Sequence, residues 1–350
     1  MDKLHFLHEQ AGVVFESSMD IEIPVSFGND AEAIAAAFNG VALVDRSHWG
    51  RLRVSDTDRL IFLHNQSTNN FQKLQPGQGC DTVFVTSTAR VIDLVSAYVT
   101  EDAVILLVSP NRRQKLLEWL DRFIFFGDRV QITDVTSLTA TFSLVGPASH
   151  QLLRQLQVGE IVNAAYGSHY LGVIAGGEVR IAVGSGLATE GYTLITNLDH
   201  AANLWGALSE AGAVPIGEHG WEQLRIIQGR PKPDHELTED YNPLEASLWQ
   251  TISFDKGCYI GQETIARLNT YQGVKQQLWG VRLSGPAQPG TPVTLEGSKV
   301  GKLTSYAETS EGPRGLVYIR TKAGGAGLTV EVGQSQGELV NLPFLTHTAS

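Results

Sequence analysis

Residues 254–268 read Phe-Asp-Lys-Gly-Cys-Tyr-Ile-Gly-Gln-Glu-Thr-Ile-Ala-Arg-Leu, a turn framed by two glycines that leads into a helix. Gly257 and Gly261 predict a sharp turn or a close approach of the backbone, because glycine adopts left-handed conformations at little cost. From Gln262 onward the residues are acceptable or good helix formers. The segment therefore predicts a loop that ends at a helix N-terminus.

Cys258 lies inside this loop, and its role has two interpretations. A cysteine outside a disulfide is often a small buried apolar residue. A cysteine close to a helix N-terminus with a cation nearby is instead favoured as a thiolate, and Lys256 would supply that cation. Spacing alone leaves both open.

The motif Lys-Gly-Cys-Tyr-x-Gly-Gln-Glu resembles the signature of the YgfZ family. This family consists of folate-binding relatives of the aminomethyltransferase (T-protein) of glycine cleavage. Members of the family are linked to iron–sulfur cluster maintenance and, through it, to some tRNA modifications. The residues that carry the motif are Lys256, Gly257, Cys258, Tyr259, Gly261, Gln262 and Glu263. The resemblance implies that Cys258 has a catalytic role, whereas Gln262 and Glu263 also suit simple capping of the helix.

Composition limits the class of protein. The chain has 350 residues, 42% hydrophobic and 18% charged, with a formal net charge of −11. This size predicts two or three domains of an ordinary globular protein. The excess of acid argues against a nucleic-acid surface built on bulk positive charge, although a local basic pocket for a small anion remains possible.

The two cysteines, Cys80 and Cys258, are too few to hold a cubane iron–sulfur cluster with the chain's own cysteines alone, and they provide no disulfide framework. No histidine spacing indicates a metal site, so none is predicted. No apolar run approaches the roughly 18 residues of a membrane span, and the N-terminus has no signal-peptide core. We expect a cytoplasmic protein without a membrane partner.

A strand followed by a helix recurs four times before residue 211. These units are strand 51–54 with helix 58–66, strand 103–108 with helix 112–123, strand 142–145 with a helix from 147, and strand 192–196 with helix 200–210. Further strands without helices lie between them, which favours an α+β fold with antiparallel sheet under helices. The family resemblance implies two ferredoxin-like, antiparallel-sheet subdomains.

Residues 273–350 differ in character, because they contain many Gly, Val and Thr and no clear helix. Turn signals every 8–12 residues predict a small β-barrel or sandwich. We therefore expect a folate-binding, T-protein-like region over 1–271 and a C-terminal β-barrel domain over 272–350. The family implies that they surround a central cavity that holds the folate.

The segment Gly184-Ser-Gly-Leu-Ala-Thr-Glu-Gly191 has the wrong glycine spacing for a nucleotide loop and precedes a strand, so a hairpin is predicted. Glu190 is then an ordinary turn residue. T-proteins, however, carry an acidic residue before Gly and an aromatic residue at this place. The resemblance implies that Glu190 hydrogen-bonds the pterin ring.

Four further residues are candidates through the same resemblance. Asp93 lies in a strand that is apolar on both faces, so it forms either an ion pair, for instance with Arg90, or a contact near the reacting nitrogen of folate. Arg225 would bind the folate glutamate tail or brace Asp93. Trp49 and Trp221 would wall the folate or simply pack in the core.

The leading hypothesis is a tetrahydrofolate-binding, YgfZ-like protein that supports iron–sulfur enzymes, with those enzymes as its protein partners. The alternative is a true aminomethyltransferase. Ile227 argues against it, because the family pattern has glutamate at this position. A third possibility is a scaffold that binds proteins and no ligand.

Overall fold

The computed structural model describes residues 3–18, 21–271 and 273–348, and within them the chain forms two compact units. Unit 1 takes residues 1–59, 74–80 and 96–222, and unit 2 takes residues 60–73, 81–95 and 223–350. Gln272 lies outside the described residues, and the division of the chain at 271 and 272 stays a prediction.

The described residues form the following helices. They are α1 (Lys3–Gln10), α2 (Asp30–Asn39), α3 (Arg59–Gln66), α4 (Arg113–Asp121), α5 (Ser149–Gln155), α6 (Ala201–Glu210), α7 (Glu218–Gln228) and α8 (Gln262–Thr270).

The strands before the barrel are β1 (Val14–Ser18), β2 (Ile21–Ser26), β3 (Ala42–Asp45), β4 (Gly50–Ser55), β5 (Gly79–Val85), β6 (Val91–Val99), β7 (Ala103–Val108), β8 (Gln131–Asp134), β9 (Thr139–Val145), β10 (His169–Ile174), β11 (Gly177–Val183), β12 (Gly191–Asn197) and β13 (Val214–Ile216). The barrel strands are β14 (Gln276–Leu283), β15 (Pro292–Leu295), β16 (Ser298–Ala307), β17 (Arg314–Arg320), β18 (Thr329–Val332) and β19 (Ser335–Val340).

Unit 1 contains a six-stranded sheet in the order β10-β11-β12-β9-β3-β13. Its pairings are antiparallel except for β13, which pairs with β3 in parallel. Phe142 and Leu194 point from this sheet into a core that Trp205 of α6 completes. Since sheet and helix bury their apolar faces against each other, the layering expected from the strand–helix pattern is present.

A second sheet has the order β5-β6-β7-β4-β8. β4 and β7 are antiparallel, with Arg53 opposite Ile105. Every residue of β6 is buried, as the apolar character of both its faces predicts.

Strands β14 to β19 form a closed barrel, since β14 pairs with both β17 and β19. Closure depends on β19, which sequence reasoning missed. Its buried positions are Ser335, Gly337 and Leu339, so two of the three inward residues lack the apolar bulk that signals a strand. A Cβ at Gly337 would lie 2.7 Å from Cγ2 of Val281, which explains the small residue.

The fold class predicted from the sequence, α+β with a C-terminal β-barrel, is confirmed. All four predicted strand–helix units are present, and residues 184–190 connect the antiparallel strands β11 and β12 as a hairpin loop. The helix bounds differ slightly from the prediction: the helix predicted over 112–123 is α4, Arg113–Asp121. None of the described helices is long and apolar enough to cross a membrane.

Candidate functional site

The loop before α8 exposes its cysteine. Cys258 is exposed to solvent and lies four residues ahead of Gln262, the first residue of the helix. The interpretation of Cys258 as a buried apolar residue is therefore wrong. An exposed cysteine is available for chemistry with molecules in solution.

Lys256 anchors this loop within unit 2. Its ammonium group is buried and donates hydrogen bonds to the carbonyl oxygens of His64, Ser67 and Asn69 at 2.5, 2.6 and 2.7 Å. It also lies 4.4 Å from the ring centroid of Tyr259. Because three carbonyl dipoles and an aromatic ring solvate the charge, the lysine ties the loop to the last turn of α3 and to the segment that follows it.

The two glycine positions of the motif differ, because only one of them requires glycine. Gly261 has φ +82°, and a Cβ there would lie 2.9 Å from Cγ2 of Val85 and 3.0 Å from the carbonyl oxygen of Thr86. Gly257 has no positive φ, and a Cβ there would meet nothing within 4 Å. The predicted turn and close approach hold for Gly261 and are wrong for Gly257.

The other motif residues stabilise the same loop. Tyr259 packs against a small core, and burial raises the pKa of its hydroxyl to about 12. Gln262 donates from Nε2 to the carbonyl oxygen of Lys256 at 3.4 Å. Glu263 is exposed in the first turn of α8, where its charge complements the helix dipole.

Asp93 is completely buried on β6, and its Oδ1 accepts a hydrogen bond from the backbone N–H of Leu94 at 2.9 Å. The alternative of an ion pair between Asp93 and an arginine stays a prediction. Arg90 donates to the carbonyl oxygen of Asp240 at 2.7 Å and lies 3.9 Å from the carboxylate of Glu245.

Arg225 is buried in a polar network of unit 2. Its guanidinium lies 3.2 Å from the carboxylate of Glu236 and donates to Oγ of Ser305 at 2.7 Å. Glu236 also accepts from Ser305 at 2.6 Å. Because a buried ion pair of this kind is costly to break, a contact between Arg225 and a folate tail would require giving up these partners.

Trp49 and Trp221 of unit 1 contact each other, with ring centroids 6.2 Å apart in a T-shaped arrangement. The guanidinium of Arg46 lies 3.8 Å from the centroid of Trp49 and 4.9 Å from that of Trp221. Both rings are buried. The resemblance singled out the two tryptophans, but it missed the arginine that joins them, although Arg46 follows directly after the buried β3.

Glu190 stands at the rim of a cavity of about 290 Å³ within unit 1. Its carboxylate lies 3.4 Å from Nε2 of His150, and Nδ1 of the same ring lies 2.7 Å from the hydroxyl of Tyr192. Tyr166 also lines the cavity. A carboxylate only accepts hydrogen bonds when ionised, so it favours the tautomer with the proton on Nε2, and the tyrosine hydroxyl then donates to Nδ1.

His150 was not predicted, because nothing in its local sequence marks it. It enters the site through the sheet: β9 pairs with β12, and α5 follows β9, which brings His150 to the residues at the start of β12. Only this non-local pairing links residue 150 with residues 190 and 192.

No cluster of three or more histidine, cysteine or acidic residues that could hold a metal ion occurs in the described ranges.

Comparison with known proteins defines the family. The model of the GCVT N-terminal domain matches residues 4–256, and the chain belongs to this family. It is 48% identical over 323 residues to the Arabidopsis thaliana protein named "Putative transferase At1g60990, chloroplastic", covering 91% of this chain and 75% of that protein. It is 27% identical to an aminomethyltransferase of Halothermothrix orenii, covering 97% of this chain and 98% of that protein.

A solved structure has the same fold. The glycine cleavage system aminomethyltransferase T from Bartonella henselae superposes with a TM-score of 0.87 at 18% identity, covering 99% of this chain and 98% of that one. At this identity the likeness establishes the fold. The family match ends at residue 256, just before Cys258, and the YgfZ-specific assignment that the cysteine motif suggested stays a prediction.

Proposed function

We propose that this chain binds a reduced folate and acts as a folate-dependent one-carbon transferase of the aminomethyltransferase class. The observation that carries the proposal is the Glu190 carboxylate, which lines a cavity of about 290 Å³ and lies 3.4 Å from Nε2 of His150, whose Nδ1 lies 2.7 Å from the hydroxyl of Tyr192. Membership of the GCVT family and the aminomethyltransferase relatives support the class.

The residues of the cavity suit a pterin. A pterin presents an N–H and an amino group side by side, and one carboxylate accepts both. Glu190 would receive them, since its side chain is 68% exposed. His150 would hold that carboxylate in place, and the ring of Tyr166 offers an aromatic wall. When bound, tetrahydrofolate would supply the nitrogen acceptor for the one-carbon unit.

The remaining candidate residues have different roles in this proposal. Asp93, a buried carboxylate, is proposed to hold a cationic amine of the substrate. Arg225 is proposed to act as a structural residue, because its donors already face Glu236 and Ser305. Trp49 and Trp221, packed against Arg46 as a rigid aromatic pair, would form one wall of the folate site.

Titration calorimetry with tetrahydrofolate tests binding. We expect saturable binding by the native chain and at least tenfold weaker binding by Glu190→Gln, since an amide cannot accept both pterin donors as a charged carboxylate does. Glu210→Gln, at the exposed end of α6, is the matched control and should bind as the native chain does. Absence of any binding would contradict the proposal and favour a protein-binding scaffold.

Formation of methylene-tetrahydrofolate from an aminomethylated lipoyl carrier protein tests the activity. Turnover that is lost in Asp93→Asn would support the transferase. Binding without turnover would instead favour the second candidate, a YgfZ-like role.

In that second candidate the chain supports iron–sulfur enzymes in a reducing compartment, with tRNA modification as an indirect consequence. The observation that favours it is the exposed Cys258 on the loop that Lys256 anchors. Cells lacking the gene should regain iron–sulfur enzyme activity with the native chain and with Cys80→Ser, but not with Cys258→Ser. Full activity with Cys258→Ser would remove the cysteine from the function.

A further inference from the structure

Unit 1 contains a second cleft, of about 220 Å³, which has no part in the proposed function. It lies between residues of β4 and β7 in one sheet and residues of β10 to β12 in the other. Directly opposed residues of antiparallel strands share a face, so Arg53 and Ile105 look into the cleft together. Arg180 does the same with its neighbours Leu171 and Ile195.

Within the described part of the chain, Arg180 forms no ion pair with a carboxylate of this cleft. Among the described residues its one hydrogen bond runs from Nη1 to Nδ1 of His169 at 2.9 Å. That histidine is buried and its pKa is lowered to about 4, mainly by burial, so it is neutral and acts as an acceptor. Burial also lowers the pKa of Arg180, which means that the guanidinium is incompletely solvated. Its remaining N–H groups are therefore available to an acceptor from outside.

One carboxylate serves two arginines here. Asp102 pairs with Arg53 at 2.5 Å and is also the acidic group that acts on Arg180 through space. Glu178 lines the cleft as well, but it makes no ion pair with Arg180 in the described structure. With Arg51 included, the lining carries three guanidinium groups against two carboxylates, a net charge of +1.

The rest of the wall is aliphatic. Ile105, Leu171 and Ile195 face the cleft beside the arginines. A volume of 220 Å³ equals the space of about seven water molecules at roughly 30 Å³ each. An arginine fork matches a carboxylate geometrically, whereas the aliphatic wall needs an apolar body.

We infer that this cleft is a binding site for a small monocarboxylate with a short apolar body, whose carboxylate pairs with Arg180 and Arg53 and whose body lies on Ile105, Leu171 and Ile195. This site is independent of the proposed folate site, because none of its lining residues lines the cavity at Glu190.

Methyl NMR of the full chain, labelled at isoleucine and leucine, tests the inference with sodium benzoate as the probe at constant ionic strength. Benzoate should shift the methyl signals of Ile105, Leu171 and Ile195 saturably, with Ile319 of the barrel as the unaffected reference. Arg180→Gln should raise the dissociation constant at least tenfold, and Arg180→Lys should give an intermediate value because charge remains but the fork is lost. Arg122→Gln, an exposed arginine of the same unit, should bind benzoate as the native chain does.

The outcomes separate the possibilities. Unshifted methyls, or an unchanged dissociation constant in both Arg180 variants with native spectra, would overturn the site. A saturable response to inorganic phosphate but not to benzoate would overturn the monocarboxylate class. Glu190→Gln should leave the benzoate titration unchanged, so failure of the folate proposal and failure of this one are distinguishable.

Discussion

The hydroxyl of Tyr192 lies 2.7 Å from Nδ1 of His150, and the opposite nitrogen of the same ring lies 3.4 Å from the carboxylate of Glu190. One imidazole thus connects a buried phenol with a solvent-facing carboxylate. Burial raises the pKa of Tyr192 to about 12, so the phenol stays protonated at neutral pH, and its O–H donates a hydrogen bond to Nδ1 when the ring carries its proton on Nε2. The histidine orientation, and with it that of Glu190, therefore depends on Tyr192.

Tyr192→Phe removes this hydroxyl and should weaken tetrahydrofolate binding about two- to tenfold, the effect of one hydrogen bond of about 0.5–1.5 kcal/mol. Calorimetric titration measures it. Tyr170→Phe is the matched control, because its hydroxyl donates to the carbonyl oxygen of Val158 at 2.9 Å and does not line the cavity. Equal loss of affinity in both variants would speak against orientation of Glu190 through His150.

Lys256→Met should lower the free energy of unfolding by about 2–4 kcal/mol, because several buried carbonyl oxygens lose their donor. Urea denaturation followed by tryptophan fluorescence measures the change. Lys299→Met, on the exposed side of β16, should change stability by less than about 0.5 kcal/mol. A Lys256→Met chain as stable as the native protein would show that the loop does not need its anchor.

Gly261→Ala should destabilise the chain by about 2 kcal/mol or more, since the left-handed backbone costs roughly 1–2 kcal/mol and the new methyl group meets Val85 and Thr86. Gly257→Ala changes the same motif by the same atoms and should stay within about 0.5 kcal/mol of the native chain. Thermal and urea unfolding of both variants would reveal the difference. Similar stabilities would contradict the assignment of the close approach to Gly261.

The folded protein should become less stable as the pH decreases below about 6.5, because protonation of His48 favours the unfolded chain. Burial, followed by the charges of Arg46 and Arg51, lowers the pKa of this histidine from 6.5 to about 3. The carboxylate of Glu218, 3.6 Å from Nε2, does not offset these effects. Because the unfolded chain binds the proton first, the contribution is fully present above pH 6.5 and is lost progressively toward pH 3, with a limiting slope of about 1.4 kcal/mol per pH unit.

Urea unfolding at pH 6.0 and pH 5.0 measures this slope. The native chain should lose about 1 kcal/mol more over this interval than His48→Gln, in which the titrating group is absent. His219→Gln, with 54% of its side chain exposed, should retain the native slope. A native slope in His48→Gln would mean that other groups control the acid sensitivity.

Much of the fold was predictable because its signals are local. Strands such as β6 and β17 follow from short apolar runs between turns, and α6 from its apolar periodicity, all with bounds within about one residue. The barrel strand β19 was not predictable, because Ser335 and Gly337 bury little apolar surface and are selected by the close approach of Val281.

The candidate site was likewise predictable only in part. The sequence alone determined the α+β class, the cysteine loop before α8 and the glutamate at the end of a glycine-rich hairpin loop, because each depends on residues adjacent in the chain. Tertiary structure decided that Cys258 is exposed, that Arg225 pairs with Glu236, and that His150 reaches Glu190. These depend on which strands pair and which side chains a fold buries together. Arg225 and Glu236 are 11 residues apart and His150 and Glu190 are 40 apart, so the local sequence around each residue does not specify its partner.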